Sequence, residues 1–269
     1  MRGTPALGRA RRGGGGARRD ALGAGGVPAL ELKDVTVWFE GQDRSAVDEV
    51  SFALEEGQIA ILIGPNGSGK STVLRAILGL VPFRGDIRVF GMPAAAARRQ
   101  IGYVPQRLAF DLTLPLTVRE AVRMPLLGAR GADVEASVRH FVDVLGIAGL
   151  LDRPLGTLSG GQLKRALIAR AMVGNPRVLL LDEPEAGIDV GGEQTLYELL
   201  SQLVAHHRLT ALVCSHELDL VFRYAGQVLC LNRRLQCSGA PAEVLTTEAL
   251  ARLYGPITTL YRHRPGGAA

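Results

Sequence analysis

The chain has 269 residues, of which 47% are hydrophobic and 21% charged, with a formal net charge of +5. This is the balance of a soluble globular protein, and the length suits one large domain or two small ones. No uninterrupted apolar run approaches the roughly 18 residues that a bilayer span needs, and the first residues lack the apolar stretch of a secretory signal, so we expect a cytoplasmic protein.

The N-terminal segment, residues 1–29, holds the whole net charge: six arginines stand against a single acidic residue, Asp20. Because the segment is rich in Gly, Ala and Arg and nearly free of large apolar residues, it cannot offset its ordering entropy, and we predict that it is disordered. It is either a solvated tail, or the product of a misassigned start codon, or an arm that binds RNA or a membrane surface; it also loosely resembles an organelle transit peptide.

The stretch "GPNGSGKST", residues 64–72, follows a short apolar strand and opens a helix, which is the context that a phosphate-binding loop requires. Glycines let the backbone approach the phosphates, and the N–H groups at the helix start point towards them. Lys70 would reach the β and γ phosphates, and the Ser71 hydroxyl would bind Mg²⁺. An idle glycine turn is the alternative, which the flanking strand and helix disfavour. The predicted nucleotide-binding residues are Gly64, Pro65, Asn66, Gly67, Ser68, Gly69, Lys70, Ser71 and Thr72.

The stretch "LSGGQ", residues 158–162, opens a second predicted helix that Gly174, Asn175 and Pro176 end. Ser159 and the two following glycines make a helix N-terminus open to an anion. No Lys-Ser pair follows to bind a metal, so this loop is not a nucleotide site by itself. It makes sense if it closes over the nucleotide held by another copy of the chain.

The stretch "RVLLLDEP", residues 177–184, is an apolar run that ends in two carboxylates, as expected for a parallel strand buried on both faces. Its end lies where doubly wound sheets bind ligands. Asp182 can hold Mg²⁺ through a water, and Glu183 can face an attacking water as the general base. We expect the two to point to opposite sides because adjacent strand residues do.

Three cysteines, Cys214, Cys230 and Cys237, have no C-x-x-C spacing. Two of them lie within apolar runs, as small buried hydrophobic residues do. We therefore expect all three to be reduced residues in or near the core.

The motifs "GPNGSGKST", "YVPQ", "LSGGQ", "VLLLDEP", "AGID" and "VCSHE" occur in the order found in ABC-transporter ATP-binding subunits, which residues 30–240 resemble. The resemblance implies an α/β fold: a P-loop NTPase core of ABC type with a mixed sheet, an antiparallel β part and an inserted helical subdomain at about residues 107–175. Residues 241–269 would form a C-terminal extension. Two departures from the family pattern stand out: Glu185 replaces a common threonine, and Leu163-Lys164 replaces a polar residue followed by Gln.

The resemblance also implies residue roles. Phe39 resembles the aromatic residue that stacks on adenine, with its neighbour Trp38 as the residue that could be confused with it. Gln106 resembles the glutamine that senses Mg²⁺ and the water, Asp189 the aspartate of the dimer contact, and His216 the switch histidine that holds the γ-phosphate. For Gln106 and Asp189, an ordinary loop role remains the alternative.

In this family, two ATP-binding subunits dimerise head to tail, and each signature loop caps the ATP of the other. The resemblance therefore implies that Ser159, Gly160, Gly161 and Gln162 act in trans, with ATP and Mg²⁺ as cofactors and Lys70, Glu183 and His216 as the catalytic residues. It implies a membrane permease as partner, which docks after Gln106, and a place at the cytoplasmic face of the membrane. An ordinary packed subdomain is the alternative for that surface.

The cargo is indicated by likeness only. Several stretches, including "IGYVPQ" and "VLCLNRRLQCSGAPAEVL", resemble the zinc branch of bacterial metal-importer ATPases, with manganese and iron relatives close behind. That branch implies an extracytoplasmic metal-binding protein as an indirect partner. The five histidines form no ligand set in sequence, and the chain ends "YRHRPGGAA" rather than in a His-rich tail. The alternative interpretation is an ABC-type ATPase that acts on nucleic acid or ribosomes. Such relatives carry either two ATPase modules or a long coiled-coil insertion, and the sequence shows neither feature.

Overall fold

A computed structural model describes residues 26–41, 43–107, 113–127 and 132–255. The predicted disorder of the N-terminal segment falls almost entirely on residues outside this part of the chain. Residues 26–29 are described, and Ala29 already belongs to the fold: it is fully buried, and its N–H donates to the Leu54 carbonyl over 2.8 Å.

Ten strands form two sheets within the described residues. They are β1 (Leu30–Val37), β2 (Val47–Leu54), β3 (Ile59–Ile63), β4 (Arg84–Val89), β5 (Met92–Pro93), β6 (Ile101–Val104), β7 (Val178–Asp182), β8 (Thr210–Cys214), β9 (Gln227–Asn232) and β10 (Arg234–Gly239). The first sheet is antiparallel in the order β2-β1-β4-β5, and the second has the order β10-β9-β3-β8-β7-β6. The second sheet is parallel except for the β9–β10 hairpin.

Eight α-helices accompany the sheets in the described part. They are α1 (Lys70–Ile77), α2 (Val118–Arg123), α3 (Ala132–Val144), α4 (Gly160–Met172), α5 (Val190–His207), α6 (Leu218–Tyr224), α7 (Pro241–Val244) and α8 (Thr247–Tyr254). Short 3₁₀ turns lie at Arg98–Gln100, Met124–Leu126, Ala148–Leu150 and Leu155–Thr157.

The parallel sheet lies between two hydrophobic layers. Strands β3, β7 and β8 are buried at every position, which explains their continuous apolar sequences. Along β3, Ile59, Ile61 and Ile63 face a core shared with the helices α2 to α5, whereas Ala60 and Leu62 face a core shared with α1 and the antiparallel sheet. Fully burying each large aliphatic side chain stabilises the fold by roughly 1.5–3 kcal/mol. The mixed sheet, the antiparallel part and the helices confirm the expected fold class.

The helices α2, α3 and α4 pack together on one face of the parallel sheet, within the stretch expected to be helical. Helix α2 begins with a capping box, in which Thr117 and Glu120 satisfy each other's backbone N–H groups. Phe141 of α3 is almost fully buried in the same core as the strands. At the other end of the chain, α8 contacts β9 and β10 through Leu250 and Leu253, both buried.

The cysteines differ from the expectation. Cys230 and Cys237 are joined by a disulfide, so the expectation of three reduced cysteines is wrong for this pair. The reason is the β9–β10 hairpin, which sets the two residues opposite each other with their Cα atoms 4.9 Å apart. Cys214, at the end of β8, is free and fully buried, and burial raises the pKa of its thiol well above the ordinary value.

None of the described helices combines the length and the apolar character that crossing a membrane would take.

Candidate nucleotide site

The phosphate-binding loop joins β3 to α1. Strand β3 ends at the fully buried Ile63, and α1 begins at Lys70, preceded by Gly69 with a left-handed φ of 101°. At Gly64 a Cβ atom would lie 2.0 Å from the Leu231 carbonyl oxygen, so the loop can lie this close to β9 only with glycine there. The predicted strand-loop-helix context is confirmed.

Lys70 is buried, and its ammonium group turns back onto the loop. Its Nζ atom donates to the Gly64 carbonyl over 2.8 Å and to the Pro65 carbonyl over 3.3 Å. These neutral acceptors keep the charge inside the loop. A phosphate oxygen is a stronger, charged acceptor that can replace them.

Asp182 ends β7 beside the first turn of α1. Its Oδ1 atom accepts a hydrogen bond from the Ser71 hydroxyl over 3.0 Å. Burial raises the pKa of the carboxyl group, and the bond from Ser71 opposes this rise. Two oxygen donors therefore lie side by side, which is the ligand chemistry that Mg²⁺ prefers.

Glu183 directly follows the last residue of β7, and its side chain bonds to a different partner from that of Asp182. Its N–H still donates to the Cys214 carbonyl over 3.0 Å, but its φ of 44° lies in the left-handed region, which is uncommon for a residue with a side chain. The expectation that the two carboxylates point to opposite sides and divide their roles stays a prediction. The Glu183 carboxylate accepts a hydrogen bond from the Gln106 side-chain amide over 2.5 Å.

His216 follows β8 and Ser215, and its side chain is 51% exposed. It is therefore not a core histidine. Its Nε2 atom lies 3.2 Å from Oε1 of Glu217.

These elements meet because parallel strands bring their carboxyl ends to one edge of a sheet: in the registered pairs, Leu62 lies opposite Cys214, and Cys214 opposite Asp182. A cavity of about 720 Å³ opens at this edge. Its lining is Ala46, Gly64, Pro65, Asn66, Gly67, Ser68, Gly69, Lys70, Ser71, Thr72, Gln106, Glu183, His216 and Tyr254.

Sequence reasoning missed Tyr254. This last residue of α8 is 42% exposed and lines the cavity together with Gly64. Burial raises the pKa of its hydroxyl, and the neighbouring Gly64 backbone opposes this rise. The signal in the sequence was slight: Leu250 and Leu253 mark an apolar helix face, but nothing there indicates the phosphate-binding loop as neighbour.

The two aromatic residues between β1 and β2, Trp38 and Phe39, have different surroundings. Trp38 is 45% exposed, and the Arg84 guanidinium lies 5.2 Å from its ring centre. Phe39 is partly buried against the core of the antiparallel sheet. Neither is among the described residues that line the 720 Å³ cavity, although Ala46 of the same connection is. The adenine-stacking role of Phe39 therefore stays a prediction.

The signature loop forms a separate site. Ser159 caps α4 through a capping box with Gln162, as the sequence predicted for a helix entered at this serine. A Cβ atom on Gly160 would lie 2.1 Å from the Gly187 carbonyl oxygen, so the loop packs directly on the turn after β7. Ser159, Gly160, Gly161 and Asp189 line a second cavity of about 140 Å³. In the described chain, this cavity and the larger one share no lining residue.

Comparison with known proteins decides the family. The sequence model of the ABC transporter family matches residues 47–186. The chain is 40% identical over 238 residues to the zinc import ATP-binding protein ZnuC of Pseudomonas putida, covering 87% of this chain and 88% of that protein. The chain belongs to the ABC transporter family.

Two further comparisons agree with this membership. The zinc import ATP-binding protein ZnuC of Yersinia enterocolitica is 41% identical over 240 residues, covering 87% of this chain and 90% of that protein. Among solved structures, an ATP-binding cassette of an ABC transporter in its ADP conformation superposes with a TM-score of 0.75 at 25% identity, covering 84% of this chain and 98% of that one. This ABC protein is an ATP-binding, ATP-hydrolysing chain, as the resemblance implied.

Proposed function

We propose that the chain is the ATP-hydrolysing subunit of a bacterial ABC importer for zinc or a related divalent metal. The identity of 40–42% to zinc import ATP-binding proteins over more than four fifths of the chain supports the proposal most directly. The cavity that gathers the phosphate-binding loop, Gln106, Glu183 and His216 supplies the chemistry.

Hydrolysis begins with in-line attack of a water on the γ-phosphate of bound ATP. Glu183 accepts the proton of that water, while the bond from phosphorus to the bridging oxygen breaks and ADP leaves. Lys70 and the N–H groups at the start of α1 stabilise the charge that develops on the γ-phosphate oxygens, and His216 contacts the same group. Phe39 stacks on adenine.

Ser71, Asp182 and Gln106 are the residues that would hold Mg²⁺ with the nucleotide. The Ser71 hydroxyl and the Asp182 carboxylate, 3.0 Å apart, fit such an ion because they are adjacent oxygen donors at the edge of the cavity. When bound, Mg²⁺ neutralises charge on the β and γ phosphates.

The complete site requires two copies of the chain. Ser159, Gly160, Gly161 and Gln162 lie outside the lining of the nucleotide cavity of their own chain, whereas α4 presents a capped N-terminus that suits an anion. We therefore infer that each signature loop closes over the ATP of the other copy in a head-to-tail homodimer, with Asp189 at the dimer contact. Two sandwiched ATP molecules hold the dimer closed, and hydrolysis opens it.

The motion is passed to a membrane permease, which we place on the surface that follows Gln106. Two observations favour this surface: Leu127 is 83% exposed, and a cavity of about 660 Å³ lies between this segment, Arg98, Arg99 and the end of α4. Exposed apolar residues beside a groove are typical of a protein interface. The chain would then lie on the cytoplasmic face of the membrane and take no part in nucleic-acid binding, with an extracytoplasmic metal-binding protein as its indirect partner.

Metal uptake tests the cargo. A strain that lacks this chain is compared with its parent for accumulation of zinc, manganese and iron, and the wild-type gene and the Lys70→Ala variant are each returned to it. We expect a zinc deficit that the wild type corrects and the variant does not. A deficit in manganese or iron alone would show that this metal, rather than zinc, is the cargo. An unchanged uptake of all three metals would contradict a metal importer.

A further inference from the structure

Two buried charges have no role in the ATPase site described so far. The buried charged side chains in the described chain are Lys70, Lys164, Asp182 and Glu185, with exposures of 6%, 5%, 4% and 2%. Lys70 and Asp182 belong to the nucleotide site. Lys164, in α4, and Glu185, in the turn after β7, remain, and they are opposite in sign.

Glu185 holds the segment that carries the switch histidine. Its carboxylate accepts hydrogen bonds from the Ser215 hydroxyl over 2.6 Å and from the Tyr197 hydroxyl over 3.3 Å. The Ser215 oxygen in turn accepts from the Glu217 N–H over 3.1 Å, which fixes the backbone on both sides of His216. Both donors to Glu185 are neutral. Burial raises the pKa of its carboxyl group, and the hydrogen bond from Ser215 and the nearby His216 oppose this rise. A further positive charge near Glu185 therefore favours its ionised form.

Lys164 holds the segment that carries Gln106. Its Nζ atom donates to the Gln106 carbonyl over 3.2 Å, and the side chain of Gln106 holds Glu183. This acceptor is also neutral. Burial lowers the pKa of the Lys164 ammonium group, and the negative charges of Glu185, Asp182 and Glu183 oppose this lowering, with Glu185 foremost.

Helix packing brings the two charges to the same region of the described chain, where they interact through space rather than as a direct salt bridge. The first turn of α4 packs on the turn after β7, since Gly160 and the Gly187 carbonyl approach so closely that a Cβ would lie 2.1 Å from the oxygen. Lys164 comes four residues after Gly160 and so lies on the same face of the helix. That face meets the turn whose first residues include Glu185.

We propose that Lys164 and Glu185 are paired positioning residues: their opposite buried charges compensate each other and fix α4 to the segments carrying Gln106, Glu183 and His216. A movement of the signature loop, when another copy binds, is thereby passed to the catalytic carboxylate and the switch histidine. This inference rests on the ATPase site proposed above. Because a lone buried charge is far less tolerable than a pair, removing either residue should leave the other at a cost to stability.

A double-substitution cycle with Lys164→Gln and Glu185→Thr, the residue types usual at these positions, tests the pair. Thermal unfolding and the kcat and KM for ATP are measured for both single variants and the double variant. We expect each single substitution to lower the unfolding temperature by about 5 °C or more. We also expect kcat to fall about tenfold with little change in KM, and the double variant to regain most of both losses.

An exposed ion pair provides the matched control. Arg223 and Glu198 lie 3.8 Å apart with side chains 56% and 48% exposed, so Arg223→Gln and Glu198→Thr should show almost no coupling. Glu185→Gln removes the charge but leaves acceptors for Ser215 and Tyr197. Its losses in unfolding temperature and kcat should also be largely regained when it is combined with Lys164→Gln. The proposal would be overturned if the losses in unfolding temperature and kcat of the two single variants simply added in the double variant. Single variants indistinguishable from wild type would also overturn it.

If a single variant does not fold, the double variant decides. A folded and active double variant supports the pair, and an unfolded one contradicts it. A wild-type chain without ATPase activity would refute the proposed function instead, while the unfolding temperatures would still report the coupling.

Discussion

The side-chain amide of Gln106 donates a hydrogen bond to the carboxylate of Glu183 over 2.5 Å. The two residues lie far apart in sequence, but they follow the ends of the neighbouring strands β6 and β7. The bond holds the proposed general base among the residues that line the nucleotide cavity. Because the carboxylate stays at the surface of the cavity, a water can approach it there.

Glu183→Gln should abolish turnover without abolishing binding. The amide has nearly the shape of the carboxylate and can still accept from Gln106, but it cannot take a proton from water, so kcat should fall by about 100-fold or more. ATP should still bind, and an ATP-dependent dimer should accumulate, measured by light scattering after gel filtration. Glu198→Gln, on the exposed face of α5, is the control. Hydrolysis at the wild-type rate would refute the assignment of Glu183 as base.

Tyr254→Ala should weaken ATP binding. The side chain lines the cavity beside Gly64, and losing its contacts should raise the KM for ATP by about three- to tenfold. Tyr254→Phe removes the hydroxyl alone, so its KM for ATP should lie between those of Tyr254→Ala and the wild type. Arg252 lies on the exposed side of the same helix, so the control variant Arg252→Ala should leave the KM for ATP unchanged. An unaltered KM in Tyr254→Ala would mean that the C-terminal helix does not contribute to the nucleotide site.

Deletion of residues 1–25 should leave ATPase activity and assembly with the permease unchanged, because this segment adds charge but almost no large apolar residues. Although residues 1–29 were all predicted to be disordered from the sequence, the deletion stops at residue 25 because Ala29 belongs to the fold. Removing Ala29 as well takes away a buried residue and its bond to Leu54, so the longer deletion should lower the unfolding temperature. Loss of activity or assembly on the shorter deletion would show that the segment has a function.

Local patterns predicted the parts of the site that local structure determines. The phosphate-binding loop, the cap at Ser159 and the buried strand ending at Asp182 each depend on consecutive residues, and all three are observed. The left-handed conformation of Glu183 was not expected, because Gly rather than Glu is the usual signal for that conformation.

Long-range packing produced the features that the sequence did not predict. Tyr254 reaches Gly64 only because α8 folds back onto β9 and β10, and Cys230 meets Cys237 only because of the register of a hairpin. Lys164 and Glu185 were recognised as departures from a family pattern, but their shared burial depends on the contact between Gly160 and Gly187. Such contacts carry no local periodicity that a single sequence could display.

The shared active site is tested most directly by mixing two inactive variants. Lys70→Ala removes the cation from the nucleotide cavity, and Gly161→Asp places a negative charge where the other copy's phosphates would bind. Gly161 suits this change because a Cβ there meets its nearest atom at 3.9 Å and an acidic residue is favourable at a helix N-terminus. Each variant should fold and be nearly inactive alone.

In a mixed dimer, the intact signature loop of the Lys70→Ala chain faces the intact phosphate-binding loop of the Gly161→Asp chain. An equimolar mixture should therefore recover ATP hydrolysis, to about a quarter of the wild-type rate if the two sites of a symmetric dimer act independently. A mixture no more active than the two variants measured separately would contradict a site built from two chains.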